Sequence, residues 1–276
     1  MFTLNCKGRL LVVDKPIVMG IINNTPDSFY EGSRFETEAA ILKQAEKLVK
    51  EGAILLDIGA QSTRPLSKRI DEEEELRRLI PGIQAIQQNF PEAILSVDTY
   101  FSKVAKEAVM AGASIVNDIS AGNFDQQMID TVSSLKVPFV CMHLKGTPET
   151  IHQPVNYENI TLEVLDFFIQ KIEQCSKAGI LDIVIDPGFG FSKSIAHNFQ
   201  LLKNLPALEI LQKPILLGIS RKSTIYKTLG ITAAEALNGT TVLNSIGVLN
   251  GASILRVHDV KEAMETIKLI SDYQSS

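Results

Sequence analysis

The chain has 276 residues, is 45% hydrophobic and 21% charged, and carries a net charge of −5, which suits one large α/β core rather than a small staple-dependent domain. The acidic balance argues against a nucleic-acid backbone as the main partner, because proteins that grip one carry a basic face. Three cysteines at no metal-like spacing and four histidines outside any HExxH or Cys/His cluster fit reduced thiols better than a disulfide framework and point away from a zinc site.

At the N-terminus, Met1–Lys7 lacks a basic stretch followed by a long apolar one, and no apolar run reaches transmembrane length, so a cytoplasmic protein is expected. No Pro/Gly/Ser-rich or charged linker divides the chain, which reads as one domain over residues 1–276. Leu4 to Asp14 reads as a hairpin turning at Lys7-Gly8-Arg9, placed to plug the bottom of the fold that follows.

Apolar strands and helical patterns then alternate to the end. Ile17–Ile22 runs into the polar loop Asn23-Asn24-Thr25-Pro26-Asp27-Ser28-Phe29, and Thr37–Glu51 sets Ile41, Leu42, Ala45, Leu48 and Val49 on one helical face before Gly52. Ala53–Ile58 is a strand carrying Asp57 near its end. Glu72–Asn89 is helical, with Pro81 expected to kink or split it and the acidic run Asp71–Glu75 expected as a solvated first turn. Ile94–Val97 ends on Asp98, with a helix over Ser102–Ala111. Ile115-Val116 ends on Asn117 and Asp118, with a helix over Asp125–Leu135. Pro138–Met142 ends on His143, with a helix over Tyr157–Ala178. Ile183-Val184-Ile185 ends on Asp186, followed at once by Pro187-Gly188-Phe189-Gly190-Phe191; Pro214–Ile219 ends on Ser220, and Ala252–Val257 ends on His258.

Eight strands recurring at roughly 33 residues per unit are expected of a (β/α)8 TIM barrel. A doubly wound sheet shares the alternation, but it usually has fewer strands and a glycine-rich first turn, where this chain has Asn-Asn-Thr-Pro-Asp. In a barrel the polar strand tips converge on one face. Asp98, Asn117 and Asp186 can accept from N–H groups there, while Arg64, Lys222, Arg256 and His258 can bind an anion. A carboxylate in a dry cavity needs a donor fork or a cation. A flat heterocycle with an amidine-like N–H edge meets that need at Asp186; alternatively, Asp98 and Asp186 pair with Lys222 and Arg256 and simply close the barrel. The loops 23–32 and 61–65, carrying Phe29 and Arg64, read either as lids over a ligand or as ordinary surface loops.

These stretches together, with Asp57-Ile58-Gly59, Ser62-Thr63-Arg64-Pro65, Val97-Asp98-Thr99, Val116-Asn117-Asp118, Cys141-Met142-His143, Ser220-Arg221-Lys222-Ser223 and Leu255-Arg256-Val257-His258, resemble in order the motifs of the dihydropteroate synthases, a pterin-binding family. The resemblance implies a (β/α)8 barrel, usually a homodimer, that condenses 6-hydroxymethyl-7,8-dihydropterin pyrophosphate with p-aminobenzoate and releases pyrophosphate in the presence of Mg2+. It implies that Asp98, Asn117, Asp186 and Lys222 hold the pterin, that Met142 and Phe191 line its pocket, and that Arg256 stacks on its face. It implies Asn23 as the Mg2+ ligand, also touching pyrophosphate, with Thr63, Arg64, Arg256 and His258 on the phosphates. Phe29, Pro65, Lys222 and Ser223 would form the p-aminobenzoate slot. By the same resemblance, Asp98, Asp186, Lys222 and Arg256 carry the catalysis, the two aspartates stabilising a cationic pterin as pyrophosphate leaves.

The chain departs from the family pattern at Gln61, where glutamate is usual, and at Leu66, where glycine is usual. Two rivals remain. One is a methyltetrahydrofolate-binding methyltransferase, against which the Thr25–Phe29 loop and Ser220-Arg221-Lys222 speak; the other is a catalytically silent pterin-binding paralogue.

Overall fold

The computed structural model describes residues 1–24, 34–61, 69–151, 153 and 155–276, with the backbone alone at 34–37. Two antiparallel strands, β1 (Phe2–Cys6) and β2 (Arg9–Val13), open the chain. Eight parallel strands follow: β3 (Ile17–Asn23), β4 (Leu55–Gly59), β5 (Ile94–Asp98), β6 (Ile115–Asp118), β7 (Phe139–Met142), β8 (Ile183–Asp186), β9 (Leu216–Leu217) and β10 (Ile254–Val257). Each neighbours the next, β10 lies against β3, and a bridge between Ile185 and Ile215 joins β8 to the β9 segment, so the sheet closes on itself as a TIM barrel.

Helices α1 (Arg34–Lys50), α2 (Glu72–Asn89), α3 (Ser102–Ala111), α4 (Met128–Leu135), α5 (Ile160–Lys177), α6 (Ile195–Lys203), α7 (Ser223–Leu229), α8 (Leu237–Leu249) and α9 (Val260–Ser275) form the outer layer. Outward strand residues such as Leu56, Ile58, Val97, Val116 and Ile185 pack against their buried faces. Among the described residues no helix is long and apolar enough to cross a membrane.

The hairpin does plug the barrel. Leu4, Cys6 and Val13 are buried among Ile17, Leu55, Ile94, Ile115, Val140, Val184, Leu216 and Ile254, one residue from the N-terminal end of each strand. Asn5 N donates to Asp182 Oδ2 (2.9 Å) and Lys7 Nζ to the Val109 carbonyl (2.8 Å), which fixes the plug to the α5–β8 connection and to the last turn of α3. An apolar floor is therefore sealed beneath whatever lies above it.

Several boundaries differ from expectation, each for a local reason. α2 runs unbroken through Pro81; the carbonyl deprived of its donor belongs to Arg77, an exposed residue whose backbone water can serve. The acidic run is not all solvated: Glu75 turns inward and is fully buried. α4 starts at Met128, because the Asp125 carboxylate is engaged by the backbone N–H groups of Ser102 (2.7 Å) and Gln127 (2.9 Å). α5 starts at Ile160, where the Asn159 side chain accepts from Thr161 and Leu162 N–H. The strand expected over Pro214–Ile219 shortens to Leu216–Leu217, since Pro214 has no N–H to give to the ladder. Two helices rather than one follow it.

Candidate active site

Strand alternation decides what the barrel holds. Leu55, Ile94 and Ile115 face inward at the floor; two residues further along the same strands, Asp57, Ser96 and Asn117 take the same inward direction, and Asp98 lies two beyond Ser96. With Asp186 on β8 and Arg256 on β10, an apolar layer gives way to a polar one at the C-terminal mouth.

Arg256 is the centre of that layer. Its Nε donates to Asp57 Oδ2 (2.6 Å) and its NH2 to Asp98 Oδ2 (2.7 Å). The guanidinium is thereby held between two carboxylates on adjacent strands, Asp57 wholly buried and Asp98 and Arg256 mostly so, and this shielding from water strengthens the pairing. The same Asp57 oxygen accepts from Asn117 Nδ2 (3.1 Å). Burial, the largest influence, pushes the Asp98 carboxyl above the usual range; Arg256 pulls it down, and Asp57 and Asp118 push it up.

Asp186 is handled differently. Its Oδ1 accepts from Gly188 N (2.8 Å), and burial raises its pKa against the lowering pull of Lys222. Lys222 Nζ donates to the Phe189 carbonyl (2.6 Å) and lies 4.4 Å from the centre of the Phe191 ring. Burial lowers the Lys222 amine to about 8. The loop is pinned from below by Lys193, a buried lysine whose Nζ donates to the carbonyls of His143 (3.3 Å), Gly188 (3.0 Å) and Phe191 (3.2 Å). Burial lowers its pKa to about 7.

The glycines of this loop serve the protein's own packing. Gly188 has φ +73°, and a β-carbon there would lie 2.1 Å from the His143 carbonyl oxygen; at Gly190, with φ +81°, it would lie 2.9 Å from Lys222 Cδ. Both substitutions are therefore strained in backbone and in space.

Of the residues singled out in the sequence, Asp98, Asn117, Asp186 and Arg256 lie in this polar layer, with Lys222 beside it. Met142 and Phe191 form an apolar wall with Tyr100, Ile119, Leu144 and Ile151. His258 and Ser220 sit together at the tips of β10 and β9: Ser220 Oγ lies 3.0 Å from His258 Nδ1 and accepts from His258 N (3.3 Å). The hydroxyl thus accepts from the backbone and shares a second hydrogen bond with Nδ1, whose direction follows the imidazole tautomer. Burial, aided by Arg256, lowers the His258 pKa to about 4, so it would meet an anion as a neutral ring. Ser223 opens α7, with Lys222 as its N-cap residue. Asn23 ends β3 and is exposed on the same face. Phe29, Thr63, Arg64, Pro65 and Leu66 lie outside the described residues.

Arg221 does not join the pocket. Its Nε and NH2 bind both oxygens of Asp259 (2.8 and 2.9 Å), and NH1 donates to the Ala233 (3.0 Å) and Ala234 (2.5 Å) carbonyls, tying the α7–α8 connection to the start of α9. Gln61, the departure from the family pattern, exchanges hydrogen bonds with the Ile70 backbone (2.9 and 3.2 Å), and its Nε2 lies 3.4 Å from Glu75 Oε2 and 3.3 Å from Tyr100 OH.

Asp57, Lys193 and Glu75 received no role from the sequence. Glu75 was legible, since Glu75, Leu79, Gly82, Ile83 and Ile86 share the buried face of α2 at helical spacing. Nothing in the local pattern of Phe191-Ser192-Lys193-Ser194 marks its lysine as buried.

Acceptors on one side, a fixed guanidinium and an amine on another, and an apolar wall make a slot for a flat, donor-edged ring bearing an anionic tail. Residues 19–258 match the family described as pterin binding enzyme. The dihydropteroate synthase of Escherichia coli (strain K12) is 38% identical over 269 residues, covering 97% of this chain and 95% of its own length. The solved structure of Xanthomonas albilineans dihydropteroate synthase with 4-aminobenzoic acid superposes with a TM-score of 0.93 at 39% identity, covering 99% of this chain and 98% of that one. A second structure from that organism, in complex with 7,8-dihydropteroate, gives 0.89 at 38% identity and covers both chains completely.

Proposed function

The chain belongs to the pterin binding enzymes, and within them to the dihydropteroate synthases, and from that premise we propose how its strand tips carry the reaction. The enzyme is a transferase of folate synthesis: it condenses 6-hydroxymethyl-7,8-dihydropterin pyrophosphate with p-aminobenzoate to give 7,8-dihydropteroate and pyrophosphate.

The observation that carries the residue assignment is the polar layer above a sealed apolar floor. Asp98, Asn117 and Asp186 are acceptors for the pterin's N–H edge, Met142 and Phe191 flank the ring, and Lys222 donates to it. Arg256, held in plane by Asp57 and Asp98, stacks on the ring and turns its remaining N–H groups to the pyrophosphate. His258 offers a neutral N–H to the same phosphates, together with Thr63 and Arg64.

As the carbon–oxygen bond to pyrophosphate breaks, positive charge spreads into the dihydropterin. Fixed carboxylates at Asp98 and Asp186 stabilise that charge without reorganising, in a site where burial strengthens each interaction. The aryl amine then attacks the methylene from a slot formed by Phe29, Pro65, Lys222 and Ser223. No protein nucleophile is called for, and binding is ordered, pterin pyrophosphate first.

Asn23 fits magnesium in a limited way. It brings one neutral amide oxygen, and no group of three or more His, Cys, Asp or Glu that could hold a metal occurs among the described residues. That donor set suits an ion whose other ligands are substrate phosphates and water. Bound there, Mg2+ would neutralise charge developing on the departing pyrophosphate.

A homodimer is proposed on the outer face of α8. That helix is apolar on both sides: Leu243 and Val248 are buried, yet Val242 and Leu249 are each 50% exposed, and Leu269 and Tyr273 of α9 are exposed nearby. A helix apolar all round belongs in an interior. The three cysteines are free and buried, which supports a reducing cytoplasmic setting.

Pyrophosphate release by the purified protein tests the reading. Release should require both substrates and Mg2+. Methyl transfer from methyltetrahydrofolate, or no release with both substrates present, would overturn it in favour of the methyltransferase or the silent paralogue.

A further inference from the structure

Asp57 occupies the centre of β4, wholly buried, with its side chain turned into the barrel. One of its oxygens, Oδ2, does two things at once: it accepts from Arg256 Nε at 2.6 Å and from Asn117 Nδ2 at 3.1 Å. An ionised carboxylate can only accept, so the Asn117 amide must turn its nitrogen toward Asp57 and its carbonyl oxygen away. The guanidinium is likewise fixed at two points, Nε by Asp57 and NH2 by Asp98, which sets its plane.

We propose that Asp57 is a positioning residue of the synthase: through one oxygen it determines that Asn117 presents an acceptor to the pterin and fixes the plane in which Arg256 meets the ring. The inference rests on the pterin reading of this pocket. Charge balance alone does not explain the arrangement. Asp98 already compensates Arg256, and adding Asp57 sets two buried carboxylates against each other, which is electrostatically unfavourable. Asp57 Oδ1 has no hydrogen-bond partner among the described residues, nor does Ser96 Oγ on the paired position of β5. A costly carboxylate is retained where its geometry has a use: an acceptor-only group fixes the direction of an amide that could otherwise face either way.

Asp57→Asn keeps the shape and removes that constraint. The expected result is a rise of about tenfold to a hundredfold in KM for pterin pyrophosphate, the range for losing hydrogen bonds to a charged group, with KM for p-aminobenzoate nearly unchanged. A second readout is the acid limb of kcat/KM. Asp98 is faced by Arg256 from β10, Lys222 from the segment after β9, Asp118 from β6 and Asp57 from β4. Removing the Asp57 charge should move that limb to lower pH, which a merely structural role would not do.

Wild-type KM and pH profile in Asp57→Asn would overturn the proposal, as would equal rises in both KM values with an unshifted limb. Should the variant fail to fold, the side-chain amide of Asn117 in the wild-type protein decides by NMR. One proton of that amide shifted downfield of ordinary asparagine values supports the proposal, and a pair at ordinary asparagine values overturns it. Asp186→Asn separates the two levels. Weakened pterin binding there with none in Asp57→Asn sinks this inference alone, whereas no weakening in either sinks the pterin reading itself.

Discussion

Asp186 and Lys222 face each other over Gly218 without forming an ion pair. A β-carbon on Gly218 would lie 3.6 Å from Asp186 Oδ2 and 3.7 Å from Lys222 Nζ. Each partner makes its short hydrogen bond elsewhere, Asp186 Oδ1 with Gly188 N and Lys222 Nζ with the Phe189 carbonyl. The two groups feel each other electrostatically, each drawing the other toward its charged form. The space between them is floored by a residue with no side chain.

Gly218→Ala should therefore spare the fold and harm the site. The new methyl meets its neighbours at ordinary contact distances, and Gly218 is not a positive-φ position, so the melting temperature should hardly move. The methyl would occupy ligand space, and KM for pterin pyrophosphate should rise about tenfold or more. Steady-state kinetics beside a thermal melt check both halves.

An alkaline limb is expected in kcat/KM. Lys222 is protonated below its lowered pKa of about 8, which burial, helped by Arg256, sets against the raising pull of Asp186 and Asp98. As pH passes that value, the free enzyme loses a donor and a positive charge. Lys222→Arg stays charged and should lose the limb, even where its different shape lowers the rate.

Stability should respond to Glu75 at lower pH. Burial raises its carboxyl from 4.5 to about 7, so the native state keeps a proton that the unfolded chain releases. Between these two values stability falls as pH rises, and above about 7 the whole cost is present. Glu75→Gln keeps the approach to Gln61 and removes the charge. It should stabilise the protein by up to about 3 kcal/mol at pH 8 and by little near pH 4.5. Urea melts at both values measure the difference.

Arg221→Ala should act on the fold and leave pterin affinity unchanged. The residue clasps Asp259 and two backbone carbonyls, and losing bonds of that kind costs about 1–3 kcal/mol. A drop in pterin affinity with an unchanged melting temperature would place Arg221 in the pocket instead.

The barrel was legible because each buried parallel strand is an apolar run that stops on a polar residue, and the period of these stops follows from one strand and one helix per unit. Asp98, Asn117, Asp186 and Arg256 were legible for the same reason. Asp57 looked like one more tip; what distinguishes it is an oxygen shared between Asn117, two strands along the sheet, and Arg256, 199 residues distant in the chain. Lys193 lies in a polar loop whose composition fits solvent, and only the convergence of three carbonyls shows where its amine goes. Nor does the sequence show why the loop has glycine at 188 and 190: the atoms that need the space are the His143 carbonyl and the Lys222 side chain. His258 read as an anion binder, and burial beside Arg256 makes it a neutral one.

Binding of 6-hydroxymethyl-7,8-dihydropterin pyrophosphate to wild-type protein and to Asp186→Asn, without p-aminobenzoate, bears most directly on the claim that the strand-tip carboxylates hold the pterin. Asp186→Asn should bind about a hundredfold more weakly, as for removal of a buried charge-assisted pair, while its melting temperature stays close to wild type. Equal affinity in the two proteins would contradict the claim.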